Sequence, residues 1–336
     1  MIIAVDEAVP FALPLSRRFR GTTLREGVLV RVGDRWGEWA PFPEYDDVTA
    51  ARWLRAALEQ AGGDWPDAVR DSVPVNAIVP ALDPAEVGAL VLDAVQSDGC
   101  TTIKVKVGEP GQTFAEDVAR VAEVRAVLDA CGAAEGLIRV DVNGAWTVEE
   151  AAERLDVLAD VALGLEYAEQ PCATLAELAD LRTRIDVPVA VDEGVRLAGE
   201  LDDSALDAVR DVADVVILKA IPLGGVRRAL DLAARLGRPV TVSGSLDSSV
   251  GLAAGLALAG ALPQLGLACG LGTGRLLAAD LTARTLLPED GRLSVVRLAP
   301  DPDRLVSAAA LLSDDRRGWW AARLDRCLAV LQEGTA

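Results

Sequence analysis

Eight short apolar runs, separated by amphipathic stretches, occupy residues 73–278 and constrain the fold more than any other feature of the chain. The runs are Pro74–Val79, Thr102–Val107, Leu137–Val142, Leu165–Glu169, Pro188–Asp192, Val215–Lys219, Pro239–Ser243 and Leu265–Cys269. Between them lie Ala/Leu/Arg/Glu segments such as Glu116–Ala130, Val148–Leu158, Leu175–Arg184 and Val226–Leu236. Strands that alternate with helical crossovers pair in parallel, and eight of them favour a closed barrel over an open sheet. The expected class is therefore α/β with a TIM-type barrel. The flanks have another texture. Ile2–Val9, Thr22–Val32 and Arg35–Ala40 read as strands, with a hairpin turn at Val32-Gly33-Asp34-Arg35, and Asp46–Ala61 reads as a helix. After Ala279, Leu293–Leu298 reads as a strand and Arg316–Gln332 as a helix, a tail expected to pack back on the N-terminal part.

Composition narrows the chemistry. The chain has no histidine among 336 residues, which removes Ser-His-Asp and Cys-His nucleophile systems and zinc held by imidazole. Its formal net charge of −19, without a basic stripe, argues against nucleic-acid partners. Five scattered cysteines with no C-x-x-C pair suggest reduced thiols in a cytoplasmic protein. The start of the chain, with early acids and no basic segment, does not resemble a signal peptide. The uncharged stretch from Ser248 to Gly274 is long enough to span a bilayer. However, Pro263 interrupts it and no aromatic belt flanks it, so a buried helix near 250–262 followed by a buried strand is expected instead.

In a barrel, function gathers at the C-terminal ends of the strands. The second run contains Lys104 and Lys106, which alternation places on one face, opposite Ile103, Val105 and Val107. If the apolar face meets the helices, both lysines point into the barrel, where mutual repulsion and burial would lower their pKa values toward those of a base. The same pattern suits an edge strand guarded by lysines. The third, fourth and fifth runs end in Asp141 (followed by Asn143), Glu169 and Asp192 (followed by Glu193). Spacings of 28 and 23 residues are each about one βα unit, so the three carboxylates should converge. Buried together they need a cation, and an all-oxygen donor set favours Mg²⁺, then Mn²⁺. Unrelated helix caps and ion pairs would leave the same trace. Lys219 closes the sixth run, half-way round an eight-stranded barrel from Lys106, or else stands as a surface lysine. The loops at 222–225, 243–249 and 270–274 are glycine-rich, and their N–H groups suit a carboxylate or phosphate. A dinucleotide loop is disfavoured because Arg275 stands where G-x-G-x-x-G requires its last glycine.

Taken together, K-x-K at Lys104/Lys106, Asp141 in DVNGAW, Glu169 in EQP, Asp192 in VDEG and Lys219 in ILK resemble the enolase superfamily. The resemblance covers nearly the whole chain. It implies a modified (β/α)7β barrel (73–278) with an α+β capping domain built from 1–72 and completed by 279–336. It also implies Mg²⁺ held by Asp141, Glu169 and Asp192, and Lys106 and Lys219 on opposite faces of a small-molecule carboxylate substrate. The two lysines resemble the muconate-lactonising subgroup rather than members with a histidine base. The short barrel and SGSLDSSVG at 243–251 are similar to dehydratases of menaquinone biosynthesis. By that resemblance Lys106 removes an α-proton to give an enediolate and returns it to the leaving hydroxide. Lys219 remains cationic beside the ring and Lys104 stands next to Lys106. Arg20 belongs to a lid from the capping domain, and Asn143, Glu193, Ser243, Ser245 and Gly272 contribute to substrate binding. Racemisation or epimerisation of N-acyl amino acids or dipeptides is the alternative within the family. A Schiff-base aldolase using Lys219 is the alternative outside it.

Overall fold

The computed structural model describes residues 5–19, 21–197 and 202–334. The chain opens with an antiparallel sheet of β1 (Glu7–Phe19), β2 (Thr22–Val32) and β3 (Arg35–Trp39). The first strand lies later than Ile2–Val9, and residues 1–4 of that expectation fall outside the described residues. The β2–β3 hairpin closes through Gly33, whose φ of +60° is what a two-residue turn requires. Helix α1 (Asp47–Gly62) begins where the Asp46 carboxylate accepts from the Thr49 N–H at 2.7 Å. It packs its Ala/Trp/Leu face on β3 and approaches so closely that a Cβ at Gly37 would lie 2.0 Å from the Ala57 carbonyl oxygen.

A short β4 (Ser72–Pro74) precedes the barrel strands, which are β5 (Ala77–Val79), β6 (Thr102–Lys106), β7 (Leu137–Asp141), β8 (Tyr167–Glu169), β9 (Val189–Val191), β10 (Val215–Leu218) and β11 (Val240–Val242). Helices α2 (Pro84–Gln96), α3 (Phe114–Ala130), α4 (Val148–Ala162), α5 (Leu175–Leu181), α6 (Glu193–Arg196), α7 (Asp203–Val212), α8 (Val226–Leu236) and α9 (Ser249–Ala261) make the crossovers. Strands β5 to β11 form one parallel sheet in chain order. Ile103, Val105, Ile138 and Val140 are fully buried beneath the helices, and Thr113, Thr147 and Thr174 start α3, α4 and α5 with reciprocal capping boxes.

Two apolar runs behave differently from expectation. Pro74–Val79 divides: Ser72–Pro74 pairs antiparallel with β12 (Arg292–Ser294), and only Ala77–Val79 joins the parallel sheet. Leu265–Cys269 does not make a regular eighth strand. It closes the barrel through Cys269 and Gly270 alone, with Asn76 N donating to Cys269 O (2.9 Å) and Gly270 N to Val242 O (2.8 Å). Pro263, Gly266 and the glycines after 269 break the extended backbone that longer pairing needs. The uncharged stretch is explained by α9, which is buried along almost its whole length. Among the described residues no helix is long and apolar enough to cross a membrane.

The tail adds α10 (Pro302–Ala310) and α11 (Asp314–Glu333). It returns to the N-terminal sheet as expected. Trp320 meets Trp39 edge-to-face, and Glu26 accepts from Arg316 (2.6 Å) and from Trp320 Nε1 (2.9 Å).

Candidate active site

Strand register assembles the site. Lys106 pairs with Asp141 across β6–β7, and Asp141 with Glu169 across β7–β8, so three functional side chains stand in one row at the strand ends. Asp192 follows β9 directly and Lys219 follows β10. Lys104 and Lys106 point inward while their alternate neighbours are buried under the helices, which removes the edge-strand reading.

Each carboxylate is held by a cation. Lys104 Nζ lies 2.8 Å from Asp141 Oδ2 and 2.7 Å from Glu169 Oε2. Lys106 Nζ lies 2.7 Å from Asp141 Oδ2 and donates to Asn143 Oδ1 at 2.5 Å. Lys219 Nζ donates to Asp192 Oδ2 at 2.7 Å, and Arg196 reaches the same oxygen at 3.1 Å. Burial opposes the charge on Lys104, but Asp141 and Glu169 outweigh it and raise its pKa. This reverses the expected lowering, because the register supplies anions rather than only a second ammonium. Burial likewise opposes charge on Asp141, yet Lys104 and Lys106 hold its carboxyl well below the usual range. Lys219 and Arg196 do the same for Asp192 against its burial. Glu169 behaves oppositely. Burial, then the charge of Asp141, pushes it up to about 7.

Lys104, Lys106, Lys219, Asp141 and Asn143 border one cavity, roofed by Phe19, Phe42, Tyr45 and Trp53 from the N-terminal part. Ser243 and Ser245 line it as well. Glu193 stands behind, accepting from Asn143 Nδ2 (3.0 Å) and Arg196 (2.6 Å). Gly272 is not brought to the cavity. It lies against the Asn76 carbonyl, where a Cβ would meet the oxygen at 2.5 Å, and borders a separate cavity beside β1 and α2. Gly270 and Thr273 take the wall instead. Arg20 lies outside the described residues.

Sequence reasoning missed four contributors. Asn76 lines the cavity and accepts from Arg139 at 3.0 Å; its signal was a lone amide inside an apolar run. Arg196 was legible as an i,i+4 partner of Asp192. Thr273 and the aromatic roof had no local signal.

The donor set suits a hard divalent cation. Asp141, Glu169 and Asp192 offer only oxygen, and Glu169 Oε1 and Glu193 Oε2 are buried acceptors without a hydrogen-bond partner. With lysine and arginine drawn between them, no three carboxylates among the described residues stand at ligand spacing.

Two family descriptions match the chain: "Enolase N-terminal domain-like" over residues 10–61 and "Enolase C-terminal domain-like" over residues 86–301. The o-succinylbenzoate synthase of Thermobifida fusca (strain YX) is 52% identical over 323 residues, covering 96% of each chain. That of Mycobacterium ulcerans (strain Agy99) is 47% identical over 329 residues, covering 97% of this chain and 95% of the other. A muconate lactonizing enzyme from Pseudomonas fluorescens superposes with a TM-score of 0.76 over 92% of this chain and 100% of its own. At 21% identity this likeness concerns the fold.

Proposed function

The chain belongs to the enolase superfamily, and from that premise we propose that it acts as an o-succinylbenzoate synthase. The reaction is the dehydration of 2-succinyl-6-hydroxy-2,4-cyclohexadiene-1-carboxylate to 2-succinylbenzoate, a step of menaquinone biosynthesis. One observation carries the assignment of roles. Lys106 and Lys219, from the second and sixth barrel strands, border one cavity and are each anchored by a carboxylate.

In this reading Lys106 Nζ, as the free amine, takes the α-proton, and the C–H electron pair passes into an enediolate. The same nitrogen returns the proton as the C–O bond breaks, so water leaves from the face of proton removal and the ring becomes aromatic. Asn143 Oδ1 orients that nitrogen. Lys219 keeps its proton and presents positive charge to the other ring face. Lys104, with its raised pKa, is a fixed counter-ion and not a second base. Ser243 and Ser245 offer hydroxyls to the succinyl end, and the aromatic roof excludes water.

Members of the superfamily generally use Mg²⁺. Here Asp141, Glu169 and Asp192 would hold it, and it would supply positive charge at the ring carboxylate. The unpartnered Glu169 Oε1 supports this reading. So does charge balance. The rim carries four carboxylates (141, 169, 192, 193) and four cations (104, 106, 196, 219), so a divalent cation and a dicarboxylate substrate enter with cancelling charge. Boundaries of the capping domain at 1–72 and 279–336 fit the return of α11 to β3. Five free cysteines, four of them buried, fit a reducing cytoplasm.

The test is ultraviolet detection of 2-succinylbenzoate, with Mg²⁺ or EDTA, for the native chain and Lys106→Ala. Turnover should require the metal and fall by about 10³-fold or more in the variant, the scale of a lost general base. Turnover that persists in EDTA, or without Lys106, overturns the mechanism.

A further inference from the structure

Only the first part of the 243–251 segment faces the cavity, through Ser243, Gly244, Ser245 and Leu246. The rest is gripped from outside. Glu38 of β3, fully buried, sits on the N-terminus of α9. Its Oε1 accepts from Ser248 N at 3.2 Å, and its Oε2 from Gly251 N at 3.2 Å and from the Ser248 hydroxyl. Gly251 permits this approach, since a Cβ there would lie 2.7–2.9 Å from the Glu38 carboxyl group. Buried Arg25 of β2 donates to Leu246 O at 2.9 Å, to Ser245 O at 3.3 Å and to Ala40 O. The Asp247 carboxylate accepts from Ser245 N at 2.8 Å.

Between these anchors Leu246 is held at φ +65°, the left-handed region that residues with a side chain rarely occupy. Such strain persists only where the surroundings over-determine it, and it concentrates at functional walls. Here the surroundings come from another part of the chain. Two strands of the N-terminal sheet supply the partners, while the strained residue borders the substrate cavity.

Resting on the functional reading above, we propose that Arg25 and Glu38 are positioning residues for the reaction. They grip the loop from behind and so fix the Ser245–Leu246 wall against which the succinyl end of the substrate lies. Neither touches the reacting atoms. Their loss therefore weakens substrate and transition-state binding alike and leaves the Lys106 chemistry in place.

The experiment is steady-state kinetics of Glu38→Gln, Arg25→Lys and Gly251→Ala, with folding checked by circular dichroism. The amide of Glu38→Gln presents an NH₂ where one of two backbone N–H groups needs an acceptor. Arg25→Lys keeps the charge but loses the fork across the Leu246, Ser245 and Ala40 carbonyls. Gly251→Ala displaces Glu38 from a helix remote from the lysines. Each should raise KM and the inhibition constant of 2-succinylbenzoate by about tenfold, with kcat within about threefold, as expected when a wall moves by a fraction of an ångström. A seam that only holds the fold together would lower kcat with the folded fraction and leave KM unchanged, and that result in the folded variants overturns the proposal. Should Glu38→Gln fail to fold, the milder Arg25→Lys and Gly251→Ala decide it by the same split. Absence of turnover in the native chain would instead count against the functional reading.

Discussion

Replacing Lys104 by Met should destabilise the metal-free protein by about 3–5 kcal/mol at pH 8, and by less at pH 6. Lys104 Nζ bridges Asp141 and Glu169 at 2.8 and 2.7 Å, and all three side chains are nearly out of contact with water. Each attraction is about 6 kcal/mol at an effective dielectric constant of 20, offset in the native chain by desolvation of the three ions. Met keeps the length and volume, so the loss is electrostatic: two buried carboxylates lose their shared counter-ion. Glu169 provides partial relief by taking a proton. Burial and Asp141 already raise its pKa to about 7. Without Lys104 it rises further. An acid whose folded pKa exceeds its unfolded value stabilises the fold below the unfolded pKa, and that contribution is lost as pH climbs through the folded pKa. The native chain completes this loss near pH 7, whereas the variant continues to lose about 1.4 kcal/mol per pH unit above it. Urea midpoints followed by circular dichroism in EDTA at pH 6, 7 and 8 measure the difference. A penalty below about 1 kcal/mol, or one equal at pH 6 and pH 8, would refute the account of Lys104 as a buried counter-ion.

Other outcomes follow from the same geometry. Lys219→Met should abolish turnover yet cost less stability than Lys104→Met in the same urea assay, because Arg196 remains on Asp192 at 3.1 Å. Saturating Mg²⁺ at about 100 times its Kd should stabilise the native chain by about 2.7 kcal/mol, seen as a higher Tm, and Asp192→Asn should remove most of that shift. Thr273→Val removes a buried hydroxyl that has no partner and borders the cavity. Its Tm should hold or rise, while its KM rises if the hydroxyl meets substrate; an unchanged KM would remove Thr273 from the binding wall.

The row of chemistry at the strand ends was legible because the strand period and the βα spacing are local rules. Alternation alone set Lys104 and Lys106 apart from Ile103 and Val105, and the 28- and 23-residue intervals brought three carboxylates to one rim. Register was not legible, and it decides the electrostatics: Lys106 opposite Asp141 turns an expected repulsion between ammonium groups into a chain of ion pairs. The glycine-rich closure was harder still. Which of Gly270, Gly272 and Thr273 faces inward depends on backbone contacts with Val242 and Asn76 that only the closed barrel creates. The Glu38 grip joins segments 210 residues apart, the aromatic roof brings residues 19–53 over strand ends as distant as Lys219, and nothing in a local window marks such partners.

The lack of histidine acquires a structural meaning at this rim. A site with an imidazole could change its charge near neutral pH without a substrate. Here the cations are lysine and arginine ammonium and guanidinium groups tied to carboxylates, and the free rim is formally neutral. Apart from Glu169, whose carboxyl is pushed up to about 7 by burial and by Asp141, the charge of the rim is altered by what binds. A dicarboxylate arriving alone would bring two uncompensated negative charges to a largely buried rim, and a divalent cation alone would bring two positive ones. Each removes the electrostatic penalty of the other, so their binding should be mutually strengthening, and by linkage to the same factor. In the proposed mechanism the base is Lys106, and its partner Asp141 is one of the three carboxylates that would hold the cation. A cation held there would compete with Lys106 for Asp141, and in that reading assembly of the site would be tied to readiness of the base.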